Sequence, residues 1–365
     1  MTPLHDAPQG QRILVVRNDK LGDFMLAWPA LASLKQAHAG NHISVLVPEY
    51  TAPLARQCPW IDEVILDPGD SGDRHAQAQL LARMRKGNFK ALLTLYSTPR
   101  IGWLGWRSGI PMRLAPATKW AQIFYHHRIT QRRSRSQKPE YQYNLDLAEA
   151  LLIRLGQPVP AALAPPYWPL PQDERRRQRQ HLKDELDLMT ERSWAFLHAG
   201  SGGSAVNLTL EQYASLAGKV DARLTEAQAA APLWLLTCGP GEEDTATALC
   251  KRLTDQDSDA VFVPPRQGLT DFALSLAAAD LFIAGSTGPL HIAGCLDLPT
   301  VGFYPSKRSA TPLRWQTCNR ERHRLAFCPP ADAGSDTDMS RIDLDVAAAE
   351  ISQFLDRRKA QSFES

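Results

Sequence analysis

The chain alternates short apolar runs with amphipathic runs, and it does so in each of its two halves. In the first half, apolar runs at 13–17, 43–47, 64–66 and 91–95 predict strands, and amphipathic runs at 24–37 and 51–57 predict helices. In the second half, strands are predicted at 194–198, 233–237, 260–263, 281–284 and 300–303, and helices at 209–220, 242–253, 269–279 and 289–295. Strands that are apolar throughout are typical of parallel sheets covered by helices on both faces. The pattern therefore predicts an α/β protein of two Rossmann-like domains whose parallel sheets face each other across a cleft.

A proline-rich stretch, residues 158–172, separates the two halves, and it can form neither a helix nor an inner strand. The highly charged segment 173–189 follows and predicts a solvated surface helix. The predicted organisation is an N-terminal domain at 1–160, a linker with the charged helix at 161–190, and a C-terminal domain at 191–343. An amphipathic helix within 344–365 ends the chain and is expected to pack back on the N-terminal domain.

Composition narrows the class of protein without identifying it. The 365 residues are 44% hydrophobic and 22% charged with a formal net charge of +2, which is ordinary for a soluble globular chain. No apolar run approaches the roughly 18 residues that cross a bilayer, and the opening residues MTPLHDAPQGQR carry no secretory signal. The six cysteines are scattered without a CxxC pair. They favour buried thiols in a reducing cytoplasm over a disulfide framework or a zinc site.

Two loops of the second half have the composition of anion-binding loops. HAGSGGS at 198–204 follows a predicted strand, and GSTGPLH at 285–291 opens a predicted helix. Free amides at helix N-termini bind phosphates at the carboxyl edge of such sheets. The alternative is that the glycines merely turn the chain. Neither loop has the GxGxxG or Walker pattern, which disfavours a dinucleotide-dependent dehydrogenase and a P-loop enzyme. The candidate phosphate-binding residues are Ser201, Gly202, Ser286, Thr287, Gly288, Pro289 and His291.

Two carboxylates, Asp19 and Asp23, come directly after the first predicted strand. A carboxylate at this position could act as general base on an acceptor hydroxyl. It could equally stabilise the dipole of the following helix, an effect worth about 0.3–1 kcal/mol. Spacing alone favours the second interpretation.

The segment from Arg100 to Lys138 contains nine Lys and Arg residues and no Asp or Glu, with aromatic residues interleaved. Such a local positive field indicates a polyanionic partner: acidic sugars, phosphorylated lipid headgroups or the inner membrane surface. No RNA-binding motif is present, so a nucleic-acid partner is disfavoured. A solvated basic loop is the alternative.

Taken together, these motifs resemble glycosyltransferase family 9, the ADP-heptose:lipopolysaccharide heptosyltransferases. RNDKLGD at 17–23, with the helix after it, is similar to the family's N-terminal motif. The block 279–293 followed by PTVGFY at 299–304 is similar to its C-terminal nucleotide-binding motif. HAGSG at 198–202, CGPGEE at 238–243 and the run 126–146 occur in the family's order, so the resemblance spans nearly the whole chain.

The resemblance implies a GT-B fold and a metal-independent, inverting transfer of a heptose or related sugar from a nucleotide sugar, ADP-heptose, with no other cofactor. Asp23 would be the general base, and Thr287, Gly288 and His291 would hold the diphosphate. The nucleobase would lie near Gly239, Pro240 and Glu242. The enzyme would be cytoplasmic, peripheral on the inner face of the Gram-negative inner membrane. Its anionic, lipid-linked lipopolysaccharide core acceptor would contact Asp19, Lys20, Arg100, Arg107, Arg128 and Arg132.

Two positions depart from the family pattern, and both lie on the donor side. Val206 stands where family members have a lysine that steadies the leaving phosphate, and Ser286 where many have aspartate. A charge-assisted contact to a leaving diphosphate contributes strongly to transition-state stabilisation. Three interpretations stay open: another cation in place of the lysine (Lys307, Arg308 or Lys20), a different donor and glycan acceptor on the same fold, or a degenerate member that binds nucleotide or lipopolysaccharide precursor without turnover.

Overall fold

The chain forms two compact units, and a computed structural model describes them over residues 10–117, 120–161, 163–203, 206–332 and 334–363. The first unit comprises the described residues up to 133 together with 138–167. The second comprises 134–137 and the described residues from 168 onward. The boundary between Tyr167 and Trp168 lies inside the proline-rich stretch.

The first domain is built on six parallel strands. They are β1 (Arg12–Val16), β2 (His42–Pro48), β3 (Glu63–Asp67), β4 (Ala91–Thr94), β5 (Met112–Pro116) and β6 (His127–Ile129). The order in the sheet is β3-β2-β1-β4-β5-β6. Its helices are α1 (Leu21–Met25), α2 (Trp28–Ala37), α3 (Ala52–Ala55), α4 (Arg74–Lys86), α5 (Pro99–Arg107) and α6 (Glu140–Arg154). Leu14 and Leu92 on the two central strands join Leu104 of α5 in one buried core.

The second domain repeats this plan. Its strands are β7 (Trp194–His198), β8 (Leu233–Leu236), β9 (Ala260–Phe262), β10 (Leu281–Gly285), β11 (Thr300–Phe303) and β12 (Arg324–Phe327). They are all parallel, in the order β12-β11-β10-β7-β8-β9. Its helices are α7 (Gln172–Glu185), α8 (Leu210–Glu226), α9 (Glu243–Thr254), α10 (Leu269–Ser275), α11 (Gly288–Cys295), α12 (Pro312–Trp315) and α13 (Leu344–Phe363). The predicted α/β fold with two parallel sheets is confirmed.

One predicted helix is broken in the structure. The run 24–37 contains the end of α1 and all of α2, with a break between Met25 and Trp28. Pro29 explains the break, because proline lacks an amide hydrogen and its ring clashes with the carbonyl four residues earlier. That carbonyl belongs to Met25, the last residue of α1. Pro29 is accommodated in the first turn of α2, where a free amide is not needed.

The C-terminal helix packs within the second domain, which corrects the expectation that it would cover the first. Its buried residues Ala347, Ala348, Ile351 and Phe354 belong to the same apolar core as α8 and the second sheet. Helix α8 is its main neighbour. An amphipathic period shows that a helix has one buried face, but it does not say which core that face joins.

Three strands were missed: β5, β6 and β12. Each is short and carries a cation, namely Arg113, Arg128 and Arg324, which hides the apolar signal. Across the described part of the chain, no helix combines the length and the apolar character needed to span a membrane.

Candidate active site

Each sheet has one point where the chain reverses the direction in which strands are added. In the first sheet the chain lays down β1, β2 and β3 outward and then places β4 on the other side of β1. In the second it lays down β7, β8 and β9 and then places β10 on the other side of β7. In open parallel sheets, ligands bind beyond the carboxyl ends of the strands at such a switch point. The loops after β1 and β4, and those after β7 and β10, are therefore best placed for chemistry, and the motifs singled out in the sequence follow β1, β7 and β10.

Arg17, the residue that follows β1, holds three carboxylates. Its Nε donates to Asp19 Oδ1 at 2.8 Å, its Nη1 donates to Glu140 Oε1 at 3.2 Å, and its Nη2 donates to Asp23. Asn144 on α6 accepts a further bond from Nη1 at 3.3 Å. Burial acts to lower the pKa of Arg17, but the three carboxylates outweigh it and raise that pKa above its ordinary value. Arg17 holds the loop after β1 by binding Asp19 and Asp23 within it and Glu140 on α6. Removing the arginine would leave these desolvated carboxylates unpaired, which is strongly destabilising.

Asp19 and Asp23 share the arginine but differ in what their oxygens do. Burial raises the pKa of Asp19 to about 6; Arg17 opposes the rise and the charge of Asp23 adds to it. Asp23 lies in the first turn of α1 and binds Arg17 through Oδ1; it does not cap an amide of that helix. No described residue hydrogen-bonds its Oδ2. That oxygen is available to accept a proton from a ligand hydroxyl.

Arg100, predicted to contact an acceptor, is instead paired within its own domain. Its Nη2 donates to both oxygens of Asp67 at 2.8 and 2.6 Å, and its Nε donates to Asp70 at 2.8 Å. Asp67 also accepts from Asn18, the neighbour of Arg17. The charge of Arg100 is compensated by these acids, and Asp67 links Arg100 on α5 to Asn18 in the loop after β1.

The fold supplies other acids that the basic segment 100–138 lacks in sequence. Arg133 pairs with Glu140 at 2.6 Å, and Lys138 pairs with Asp146 at 2.8 Å. Arg113 is buried and donates to backbone carbonyls. Lys119 lies outside the described residues. Within the described part of this segment, the exposed cations that form no ion pair are Arg107, Arg128, Arg132 and Arg135. Lys20, in the loop after β1, is likewise exposed and forms no ion pair with a described residue.

Large apolar side chains lie exposed beside these cations. They are Trp103 (42% exposed), Trp106 (52%), Trp120 (83%) and Ile123 (68%), which we call the aromatic face. The first two lie on α5, and the others lie on the short 3-10 turn Trp120–Phe124, which packs against α5. The guanidinium of Arg107 lies over the Trp103 ring at 6.0 Å. Exposed tryptophans next to cations are typical of surfaces that contact amphipathic partners.

In the second domain, the start of α11 contains two buried polar atoms that lack partners. Thr287 and His291 are 4% and 3% exposed, and neither Thr287 Oγ1 nor His291 Nδ1 forms a hydrogen bond with a described residue. Burial lowers the pKa of His291 to about 4, so the ring is neutral at pH 7. Ser286, Gly288 and Pro289 lie half-buried around them. Unpaired polar groups at the positive end of a helix dipole are what an anionic ligand would satisfy.

The loop after β7 is held by a carboxylate from the loop after β8. Glu242 Oε1 accepts from the Gly202 amide at 2.7 Å, and Oε2 accepts from the Gly239 amide at 2.9 Å. The sequence assigned the Gly202 loop to a phosphate and Glu242 to a nucleobase, but here the carboxylate occupies amides that an anion would use. Gly200 makes the contact possible, because a Cβ there would lie 1.8 Å from Glu242 Oε2. Ser201 is half-buried and Pro240 exposed in the same two loops.

His198, at the end of β7, is a buried neutral side chain. Burial lowers its pKa to about 4, although Glu242 opposes this from 3.7 Å. Its Nδ1 lies 3.1 Å from Thr237 Oγ1, and its ring packs against Phe272 and Phe282. Nowhere in the described chain do three His, Cys, Asp or Glu side chains cluster as possible metal ligands.

Asn207 joins the loop after β7 to the end of β10. Its Nδ2 donates to Ala199 O at 2.7 Å, and its Oδ1 accepts from the Tyr213 hydroxyl at 2.6 Å. Gly285 closes against it, because a Cβ there would lie 2.5 Å from Asn207 Oδ1. Val206, the preceding residue, is 42% exposed and brings no charge to the loop. The two loops singled out in the sequence are therefore neighbours.

The chain has two parallel-sheet domains, each with polar loops at its switch point, an arrangement typical of enzymes. Comparison with known proteins identifies the class of enzyme. Residues 78–329 match the model of glycosyltransferase family 9 (heptosyltransferase). The chain belongs to this family and is a glycosyltransferase. A Haemophilus influenzae protein, provisionally named a glycosyltransferase, is 45% identical over 345 residues, which cover 94% of this chain and 97% of that one.

Solved structures of the family share the fold. A family 9 glycosyltransferase from Veillonella parvula has a TM-score of 0.73 at 17% identity, covering 95% of this chain and 98% of its own. Escherichia coli ADP-heptose lipopolysaccharide heptosyltransferase II has a TM-score of 0.72 at 16% identity, covering 95% and 99%. E. coli heptosyltransferase WaaC, solved with ADP, has a TM-score of 0.68 at 18% identity, covering 94% and 99%. The fold is therefore GT-B.

Sequence reasoning missed the residues that hold the site residues in place. Glu140 was passed over, although it is the first acid after nine cations and begins α6. Asn207 directly follows Val206, and nothing in the sequence marks it as a residue that holds a loop in place. Glu140 lies far from Arg17 in sequence, and Asn207 lies far from Gly285. No spacing rule connects the two members of either pair.

Proposed function

We propose that this protein is an inverting, metal-independent glycosyltransferase that moves a heptose or related sugar from a nucleotide-diphosphate sugar, ADP-heptose, to an anionic lipopolysaccharide core acceptor. The observation that carries the donor side is the pair of buried, unpartnered polar atoms at the start of α11, Thr287 Oγ1 and His291 Nδ1. The names of the E. coli family members, and the ADP in one of them, support the choice of donor.

On the donor side, three kinds of group favour a diphosphate. The α11 N-terminus offers amides and the positive end of its dipole. Thr287 offers a hydroxyl, and the neutral His291 offers a ring N–H without a net charge. The half-buried Gly288 lets the ligand approach the backbone closely. The diphosphate would satisfy the groups that the protein itself leaves unpaired.

On the acceptor side, Asp23 takes the proton. An acceptor hydroxyl oxygen attacks the anomeric carbon from the face opposite the nucleotide, and the bond from that carbon to the diphosphate oxygen breaks, leaving its electrons on the diphosphate. Asp23 Oδ2 accepts the hydroxyl proton while Arg17 holds Oδ1. Attack from the opposite face inverts the anomeric configuration.

The acceptor is anionic and lipid-linked, and its recognition is assigned to the exposed cations Lys20, Arg107, Arg128 and Arg132 together with the aromatic face. Tryptophan rings flanked by cations suit the headgroup region of an anionic bilayer, which supports the proposal of a peripheral position at the inner face of the inner membrane. Co-sedimentation with phosphatidylglycerol vesicles tests this. Replacing Trp103 and Trp106 by Ala should abolish vesicle binding, and unchanged binding would refute the assignment.

A second candidate donor is favoured by Val206 and Ser286, because both remove groups that family members place near an ADP-heptose phosphate. On this alternative, the same fold transfers another nucleotide sugar to another glycan, or binds a nucleotide without turnover. Two measurements with a panel of nucleotide sugars separate these possibilities: calorimetry for binding, and nucleotide release in the presence of acceptor for turnover. Turnover with one donor other than ADP-heptose selects the second enzyme, and binding without turnover for every donor selects the degenerate member.

Asp23→Asn tests the chemistry directly. The variant should lose sugar transfer by at least about 100-fold, the usual contribution of a positioned general base, with donor affinity unchanged. Asp70→Asn is the matched control, because Asp70 is an exposed acid of the same domain whose partner Arg100 retains Asp67. The measurement is nucleotide release in the presence of acceptor. Equal rates for Asp23→Asn and wild type would disprove the base assignment.

A further inference from the structure

The candidate donor site lacks an obvious cation, although a departing nucleoside diphosphate carries two or more negative charges. Thr287 and the neutral His291 offer hydrogen bonds, and Val206 offers no charge. Charge that develops on a leaving group is stabilised best by a fixed cation or by preorganised donors. Within the second domain, a cation that contacts the donor loops would lie at the carboxyl edge of the sheet, where those loops are.

Only three cations lie on the described parts of the loops that follow the six strands of this sheet, at 199–203, 206–209, 237–242, 263–268, 286–287, 304–311, 328–332 and 334–338. They are Arg266, Lys307 and Arg308. Arg266 is largely buried, and its Nη1 pairs with Glu185 at 2.7 Å. Lys307 and Arg308 are exposed, and neither side chain forms an ion pair with any described residue.

Sheet order separates these candidates further. Arg266 follows β9, which is three strands away from β10, a lateral distance of about 14 Å at about 4.8 Å per strand. Lys307 and Arg308 follow β11, the immediate neighbour of β10. The Ser286 amide donates to Phe303 O at 3.0 Å, so the loops after β10 and β11 leave the sheet side by side. The two exposed cations therefore lie one strand away from the α11 N-terminus.

The backbone of the loop after β11 is held in place. The Ser306 amide donates to Asp336 O at 2.8 Å, and the Ala310 amide donates to Lys307 O at 2.7 Å. Ser136 Oγ donates to Arg308 O at 2.5 Å, and residues 134–137 belong to the second domain. Backbone bonds anchor the loop at both cations while their side chains stay unpaired, an arrangement suited to a preorganised anion contact.

We propose that Lys307 and Arg308 supply the positive charge that binds the diphosphate of the nucleotide and stabilises it as it leaves. This inference rests on the proposed function, because it assumes that the ligand at the α11 N-terminus is a nucleoside diphosphate. The loop after β7, which contains Val206, has no charged residue to contact the diphosphate. The proposal assigns this contact to the loop after β11, on the other side of β10.

The test compares Lys307→Ala, Arg308→Ala and the double variant with Arg322→Ala. Arg322 is the matched control, because it is an exposed cation of the same domain that precedes β12 and so lies at the opposite edge of the sheet. Calorimetry measures the affinity of each for ADP, UDP, GDP, their monophosphates and inorganic pyrophosphate. A charge-preserving double swap, Lys307→Arg with Arg308→Lys, distinguishes loss of charge from loss of folding.

We expect each Ala variant to weaken binding of the preferred nucleoside diphosphate about tenfold and the double variant about 100-fold, a size typical of charge-assisted contacts. Monophosphate affinity should fall less, the swap and Arg322→Ala should bind like wild type, and salt should weaken wild type more than the double variant. Diphosphate affinity of the double variant within twofold of wild type would overturn this inference and leave the transferase assignment intact. A preferred nucleotide other than ADP, with the same losses, would overturn the donor and keep the inference. No binding of any diphosphate by wild type would overturn both.

Discussion

Among single residues, Asp19 and Asp23 carry the same carboxyl group in two different environments. Arg17 binds both, yet Asp19 holds a pKa near 6 because burial penalises its charge more than the arginine compensates it. Among the described residues, Asp23 Oδ2 has no hydrogen-bond partner, and Oδ1 binds Arg17. A proton on Asp19 would lower the negative charge next to the proposed base Asp23. The rate of sugar transfer should therefore change when Asp19 gains or loses its proton.

Asp19→Asn should change the dependence of stability on pH in a defined direction. A carboxyl whose folded pKa exceeds its unfolded value near 3.8 stabilises the fold below that value and loses this contribution as pH rises through about 6. The unfolding free energy of Asp19→Asn minus that of wild type should therefore rise between pH 4 and about 6, by up to about 3 kcal/mol, and then level off. Urea denaturation at a series of pH values measures it.

Asp62→Asn is the control for this experiment, since its pKa is shifted the other way. Burial acts to raise the pKa of Asp62, but bonds from Lys35 and the Ile43 amide outweigh it and lower it. The variant should lose stability relative to wild type as pH rises. Identical pH profiles for Asp19→Asn and wild type would show that Asp19 is not held in a charge-penalising environment.

At the scale of elements, the donor loops are shaped by side chains from neighbouring loops. Glu242 ties the loop after β7 to the loop after β8, and Asn207 ties it to the end of β10. In both cases a glycine leaves room for the side chain, Gly200 for Glu242 and Gly285 for Asn207. These glycines matter for close approach, whereas the positive φ angles of Gly202 and Gly203 serve the turn itself.

Gly200→Ala should act through Glu242. The added Cβ must displace the carboxylate, and losing its bonds to the two amides should cost about 1–2 kcal/mol of unfolding free energy. Gly218→Ala is the control within α8, where helix propensity favours alanine by up to about 1 kcal/mol. The added Cβ would lie 3.2 Å from Nε2 of Gln256, a flexible side chain that has to shift by a few tenths of an ångström. In a Glu242→Ala background the effect of Gly200→Ala should vanish, as a double-mutant cycle would show. An equal effect in both backgrounds would contradict the mechanism.

At the scale of the molecule, the two domains use one topology to place different chemistry. Each sheet runs outward for three strands and then reverses, and the candidate residues follow the strands that flank the reversal. The first domain gathers carboxylates around an arginine, and the second gathers neutral hydrogen-bonding groups and amides. Acid should therefore act in opposite directions on Asp19 of the first domain, whose pKa is raised, and on His198 and His291 of the second, whose pKa values are lowered.

The second domain should lose stability on acidification between pH 6.5 and about 4. His198 and His291 have folded pKa values near 4 because of burial, so the unfolded chain binds more protons in this window. Each contributes up to about 3 kcal/mol of stability that is present above pH 6.5 and lost below it. Replacing each by Gln should flatten the slope, and replacing the exposed His181 should not. Hydrogen exchange of second-domain amides across this range measures it, and an unchanged slope in both Gln variants would refute the assignment.

The sequence by itself determined the alternation of strands and helices, the two parallel sheets, the loops with anion-binding composition and the family. These follow from local patterns, because periodicity, glycine content and motif order are properties of contiguous residues. Only the tertiary structure decided which charges are available. Asp67 and Asp70 neutralise Arg100, and Glu242 occupies the Gly202 amide. Lys307 and Arg308, which follow β11, form no ion pair with a described residue. Burial and partners from distant segments set these outcomes, as with Arg17 and Glu140, which lie 123 positions apart in sequence and 3.2 Å apart in space. No local pattern encodes such pairs.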